Sequence, residues 1–248
     1  MGKTQTKIMK RFLLLALLFV GISAKAQNVQ LHYDFGRNAY KSLNSENAAD
    51  SRAVLTSTVE MFRPDKFGST FFFVDMDYNK GVSGAYWEIA RELNFWQNSK
   101  LNWLSAHVEY NGGLNRLAGT YDDAFLFGAT YSGHSKDFSK TWSITASYKL
   151  IPRNGLSAHN FQITGVWGIS FLKGYMSFSG FIDFWREYRA WQDTSYIILA
   201  EPQLWFNFNA IKGCEKFNLS IGTEVELSNN FVNKGFYAIP TAAIKWTF

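Results

Sequence analysis

The 248 residues hold one cysteine and four histidines, and no apolar run of 18 residues anywhere. A lone cysteine, Cys214, cannot close an intrachain disulfide. A secreted chain of this length must then hold itself by burial or by a closed hydrogen-bonded sheet. Its setting, Lys212-Gly213-Cys214-Glu215-Lys216, is a turn by composition, which makes the thiol incidental rather than a nucleophile. Without a long apolar run there is no helical membrane span. The sequence has no CxxC pair, phosphate loop, metal-ligand cluster or basic nucleic-acid patch, so it implies no metal, no cofactor and no nucleic-acid partner. No helical period, heptad or repeat stands out.

What is present begins with a leader. Lys7, Lys10 and Arg11 form a basic start, Phe12–Ala24 is an apolar run of 13 residues, and Ala24-Lys25-Ala26 is a small-x-small pattern before Gln27. Together they read as a secretory signal peptide, with an apolar run shorter than the roughly 20 residues of a spanning helix. No cysteine follows the run to take a lipid. The expected organisation is a signal peptide over 1–26, cleaved near Ala26, and one domain over 27–248. The leader holds five of the 25 basic residues (Lys3, Lys7, Lys10, Arg11, Lys25) and none of the 20 acidic ones, so the remainder carries 20 of each. The sequence pI of about 9.1 therefore belongs to the leader and says nothing about nucleic acid.

Aromatics make up 18% of the chain, yet the mean hydropathy is −0.16, the value of a soluble protein. Strict alternation of apolar and polar residues gives both at once. The last stretch, Phe236–Phe248, shows it: Phe236, Ala238, Pro240, Ala242, Ile244 and Trp246 on one face, Tyr237, Ile239, Thr241, Ala243, Lys245 and Thr247 on the other. An aromatic terminal strand of this kind is expected to pair with the first strand and close an outer-membrane barrel. Eleven more segments alternate in the same way: 29–35, 53–62, 70–78, 85–95, 101–111, 124–132, 141–150, 160–170, 175–185, 196–208 and 217–227. Arg63-Pro64-Asp65-Lys66 reads as a turn, and Asn111-Gly112-Gly113 as the start of a loop. The longest connection, a polar loop, follows the first strand. The predicted fold is all-β, a transmembrane antiparallel up-and-down barrel of twelve strands in the outer membrane of a Gram-negative bacterium. An even count places both termini in the periplasm. Arg91 falls on the greasy face, where mid-depth placement costs about 2–4 kcal/mol, so it is expected near an interface or after a bulge.

The opposite face lines the interior and collects acids: Glu60, Asp75, Asp77, Glu88, Glu92, Glu109, Asp183, Glu201, Glu224 and Glu226. Its bases are mainly Lys149 and Lys245. Most other bases fall in turns and loops (Lys66, Lys80, Arg116, Lys136, Arg153, Lys173, Arg189, Lys212, Lys234). Inward carboxylates need water or partners, so the lumen is expected to be wet or laced by pairs to those bases. Phe71, Phe73, Trp185, Trp205 and Tyr237 also face inward. Rings stack on flat bases and carboxylates accept hydrogen bonds from hydroxyls and amines, which suits a polar, ring-bearing small solute. The same residues could equally fill and rigidify a closed barrel.

The chain resembles the nucleoside-specific, channel-forming Tsx-like family of outer-membrane proteins. The resemblance lies in Leu55-Thr56-Ser57-Thr58-Val59-Glu60-Met61-Phe62 followed by Phe71-Phe72-Phe73-Val74-Asp75. It continues in Tyr86-Trp87-Glu88-Ile89, in Phe178-Ser179-Gly180-Phe181-Ile182-Asp183-Phe184-Trp185 and in the aromatic terminal strand. It implies a twelve-stranded barrel with a narrow nucleoside channel, and carries over Glu60, Phe73, Asp75, Glu88, Asp183 and Trp185 as lumen positions. The loops are shorter here than in that family.

The expected function is diffusion of nucleosides or similar small polar solutes through an acidic and aromatic lumen. The substrate-contacting wall comprises Glu60, Phe73, Asp75, Asp77, Glu88, Asp183, Trp185, Glu201 and Trp205. Expected partners are outer-membrane lipid, the small solutes, and the barrel-assembly machinery that takes the terminal strand ending in Phe248. The alternatives are a plugged structural or adhesion barrel, a soluble periplasmic β-sandwich, and an outer-membrane phospholipase or acyltransferase. The last needs a nucleophile beside an oriented base, and His32, His107, His134 and His159 sit in no Ser/His signature. His107 and His159 are placed at the lumen or rim.

Overall fold

Period-two alternation leaves each strand with one face for an apolar surrounding and one for an interior, and closure of the sheet removes both edges. The computed structural model describes residues 27–43, 52–116, 119–152, 154–155, 157–190 and 192–248. The leader over 1–26 and Arg153 lie outside these described residues. The chain forms twelve antiparallel staves: β1 (Gln27–Tyr33), β2 (Leu55–Asp65), β3 (Gly68–Tyr78), β4 (Val82–Leu93), β5 (Leu104–Asn115), β6 (Ala124–His134), β7 (Lys140–Leu150), β8 (His159–Phe171), β9 (Met176–Arg189), β10 (Thr194–Ala200 and Gln203–Asn207), β11 (Leu219–Asn229) and β12 (Phe236–Thr247). A two-residue stub, Gly119–Thr120, pairs with β5. Each stave pairs with its sequence neighbours, and β12 pairs with β1 from Asn28↔Thr247 to Tyr33↔Ala242, which closes the barrel. Among the described residues no helix is long and apolar enough to cross a membrane.

The β1–β12 seam ends where it does because of Pro240. The β11–β12 ladder runs on through Val225↔Pro240 to Asn229↔Phe236, whereas the β1–β12 ladder stops at Tyr33↔Ala242. A proline has no N–H for the β1 side. The chain leaves there in a 3₁₀ turn, Gly36–Ala39, laid against the proline. A Cβ at Gly36 would stand 2.5 Å from the Pro240 ring, so only glycine permits this approach.

Outside, a belt of aliphatic residues (Leu31, Val59, Val108, Ile144, Ile163, Ile221, Ile244) stands exposed. Aromatic contacts flank it at both ends. Phe206, Phe208, Phe217 and Trp246 form a chain of edge-on rings at the end where β1 begins and β12 finishes. Tyr110–Phe125 (tilted), Phe161–Phe184 (edge-on) and Phe184–Tyr196 (stacked) lie at the other end. An apolar band between aromatic girdles is the outer surface of a membrane barrel. Arg91 sits two residues from the end of β4. It pairs with Asp65 at 2.6 and 2.8 Å and reaches Thr70 at 3.0 Å, so it meets the rim position expected of it.

Two turns predicted from composition are strand instead. Arg63, Pro64 and Asp65 belong to β2, and the turn is Lys66-Phe67. The β1 partner ladder already stops at Gln27↔Met61, so Pro64 removes no bond on that side. Gly112 and Gly113 continue β5 to Asn115 rather than opening a loop. A Cβ at Gly113 would meet the Ala85 carbonyl at 2.4 Å and the Tyr121 ring at 2.6 Å, so the glycine serves close packing inside the strand. Arg189, expected in a loop, closes β9, where it donates to the carbonyl oxygens of Phe231 and Asn230.

Candidate functional site

The inner wall divides into two polar sectors. Side chains two residues apart on a strand, or directly opposite on paired strands, share a face, so each inward carboxylate finds its partner in the nearest inward hydroxyl or amide. In the sector of β1–β3 and β10–β12, Asn28 donates to Glu60 at 3.0 Å, Thr58 to Asp75 at 2.5 Å and Thr56 to Asp77 at 2.6 Å. Gln203 donates to Glu224 at 2.6 Å. His32 lies between Gln30 and Thr241 at 2.9 and 3.1 Å, edge-on to Trp205. The Lys245 ammonium stands 4.1 Å above the Trp205 ring, a cation–π contact.

The sector of β4–β9 repeats the pattern. Tyr86 donates to Glu88 at 2.7 Å, and Thr164 to Asp183 at 2.5 Å. Glu92 accepts from Ser105 and from Thr130 at 2.9 Å, and pairs with His107 at 2.7 Å; the other ring nitrogen of His107 lies 3.2 Å from Glu109. Lys149 donates to Gln162 at 2.7 Å and stands 4.7 Å above the Trp185 ring, whose N–H donates to Glu187 at 2.9 Å. Phe73 contacts both Phe71 and Tyr86. The Glu92 and Glu224 side chains keep 22% and 17% of their surface open, so water-sized space lies beside them.

The nine predicted wall residues thus all lie on the interior, shared between the two sectors rather than gathered at one point. Both ring nitrogens of His107 face carboxylates, not a serine hydroxyl. His159 sits at the start of β8, bonded to the outward Tyr148, at the rim.

Three features were missed in the sequence. The first is Arg52, from the connection after β1. It donates to Asp34 at 2.5 Å and to Glu226 at 2.6 Å, and so ties that connection to the inner face of β11. Tyr40 adds to this tie: its ring meets Tyr237 at 5.1 Å and its hydroxyl accepts the Ala238 N–H at 3.2 Å. The second is an apolar shelf of Trp185, Ile197 and Leu199 against Phe181 and Phe231. The third is Leu126, which points inward with Ala124 and Ile151. A charged residue in a polar loop carries no signal of where it will dock. A stretch apolar on both faces, as Tyr196-Ile197-Ile198-Leu199-Ala200 is, has no period to read.

A closed antiparallel sheet with an apolar, aromatic-girdled outside and a charged inside defines a porin-like barrel of the outer-membrane type. Residues 26–248 match the family described as a domain of unknown function, DUF5020, and the chain belongs to that family. Among solved structures it is similar to the NanC porin, at 9% identity and a TM-score of 0.55 over 90% of this chain and 99% of that one. It is also similar to LpxR from Salmonella typhimurium, at 7% identity and a TM-score of 0.47 over 90% of this chain and 100% of that one. No curated protein matches the sequence.

Proposed function

We propose that the protein is an outer-membrane channel that passes nucleosides or similar small polar solutes by diffusion. The leader directs it across the inner membrane and is cleaved near Ala26. The strand ending in Phe248 is taken up by the barrel-assembly machinery, and both termini face the periplasm. The observation that carries this reading is the composition of the inner wall. Carboxylates held by neutral hydroxyls and amides alternate with ring faces, and they keep solvent-accessible surface inside a closed barrel. Such a wall offers hydrogen-bond acceptors to ribose hydroxyls and exocyclic amines, and rings to bases. The resemblance to the Tsx-like family, which carries over Glu60, Phe73, Asp75, Glu88, Asp183 and Trp185 as lumen positions, supports nucleosides as the solute.

The test is solute entry into liposomes carrying the refolded barrel, with nucleosides compared against sugars of similar size. Nucleosides are expected to enter several-fold faster, and Asp75→Asn and Asp183→Asn each to reduce that preference without unfolding the barrel. Equal entry of both solute classes would remove the nucleoside assignment. No entry through a demonstrably folded barrel would remove the channel.

A further inference from the structure

Among the described residues, the inner-wall cations Arg52, Lys149 and Lys245 each have a partner or a ring face, and the acids are not all matched. Arg52 is held between Asp34 and Glu226. Lys149 is turned to Gln162 and the Trp185 ring, and Lys245 to the Trp205 ring. Arg52 and Lys149 thus have hydrogen-bonded partners, and Lys245 is covered by the ring face. The Glu201 carboxylate, by contrast, has neither a hydrogen bond nor a salt bridge among the described residues, and it feels the charges of Glu224, Glu226 and Asp75 against that of Arg52.

In the other sector, Glu88 lies within electrostatic reach of Glu109, Asp183 and Lys149, so that three carboxylates face one ammonium, with the His107 ring 3.2 Å from Glu109 on its other side. Glu88 and Glu109 come from the adjacent β4 and β5, whereas Asp183 comes from β9, four staves further round the wall. Asn111 stands directly opposite Glu88 on β5 and is only 4% exposed. Its side-chain oxygen, an acceptor only, has no hydrogen-bond partner among the described residues. A buried acceptor without a donor, beside a net negative group, is the complement of a cation or an ammonium N–H. Among the described residues no three acid, histidine or cysteine side chains converge as metal ligands do. The cation that fits is therefore hydrated and monovalent, or an organic ammonium, rather than a chelated metal ion.

We propose that the lumen is cation-selective. Glu88, Glu109, Asp183 and Asn111 form the station at which monovalent cations and protonated amines are stabilised, and solutes bearing phosphate or carboxylate are excluded. This rests on the channel reading and names its charge class: neutral nucleosides pass and their phosphates do not.

The experiment is the reversal potential of the refolded full barrel in a planar bilayer under a potassium chloride gradient. Potassium is expected to permeate roughly tenfold better than chloride, the lower end of counter-ion enrichment in a cleft lined by one sign of charge. Ethylammonium chloride should give the same sign. Glu88→Gln with Asp183→Asn should bring the ratio close to unity in a barrel that still conducts. Asn111→Leu should lower the ratio and Asn111→Asp restore or raise it. A chloride preference, or an unchanged ratio in the conducting Glu88→Gln, Asp183→Asn variant, would overturn the proposal. A folded barrel that carries no current would instead overturn the channel reading beneath it.

Discussion

Replacing Arg52 with alanine is expected to lower the unfolding free energy of the barrel by about 3–5 kcal/mol. Both carboxylates that Arg52 holds are 9% exposed at the side chain. Removing the guanidinium leaves two negative charges together, partly desolvated, with the Ser228 hydroxyl and the Arg37 N–H as their donors among the described residues. The desolvation already incurred is then uncompensated, which is why breaking such a cluster is worse than never building it. The combined change Arg52→Met, Asp34→Asn and Glu226→Gln should recover most of the loss. Urea unfolding in detergent, followed by tryptophan fluorescence, reads both. A loss under about 1 kcal/mol for Arg52→Ala would mark the cluster as an ordinary exposed rim pair and detach the connection after β1 from the wall.

Ile144→Arg is expected to destabilise the membrane-inserted barrel by about 2–4 kcal/mol. Ile144 lies mid-strand on β7 and is 54% exposed on the outer belt. A soluble protein would tolerate an arginine there, since an exposed isoleucine in water is readily replaced by a charged chain. In a bilayer the same position sits in hydrocarbon, far from any rim acid. Arg91 is the internal control, because it shares the outer face but has Asp65 and Thr70 at the end of the barrel. The measurement is reversible unfolding in lipid vesicles, compared with the native barrel in the same vesicles. An Ile144→Arg barrel as stable in vesicles as the native one would argue that this face does not meet lipid.

Much of this architecture was legible in the sequence because membrane barrels impose a simple rule on every strand. In β7, Trp142, Ile144, Ala146 and Tyr148 alternate with Ser143, Thr145, Ser147 and Lys149, and both the strand and its inner face follow directly. The inward acids and rings were readable for the same reason. The rule fails where its premise fails. Ile197 and Leu199 were invisible because both faces of that stretch are apolar. The ends of β2 and β5 were misplaced because proline and glycine usually break strands. Here Pro64 lies beyond its neighbour's ladder, and Gly112 and Gly113 serve packing. Arg52 and the Asn111 oxygen, which has no partner among the described residues, depend on distances between segments remote in sequence, which no local pattern encodes.

The central claim is that one face of each strand meets lipid while the other lines a water-filled path. The lone Cys214 permits a direct test after Cys214→Ser. Single cysteines at the neighbouring positions Thr58 and Val59, and at Thr164 and Ile163, are exposed to a charged, membrane-impermeant thiol reagent in the folded, lipid-inserted barrel. The predicted result is modification of Thr58→Cys and Thr164→Cys, with Val59→Cys and Ile163→Cys protected until the barrel is unfolded. Inner positions as unreactive as their lipid-facing neighbours, in a barrel shown to be folded, would contradict the account and leave a plugged barrel in its place.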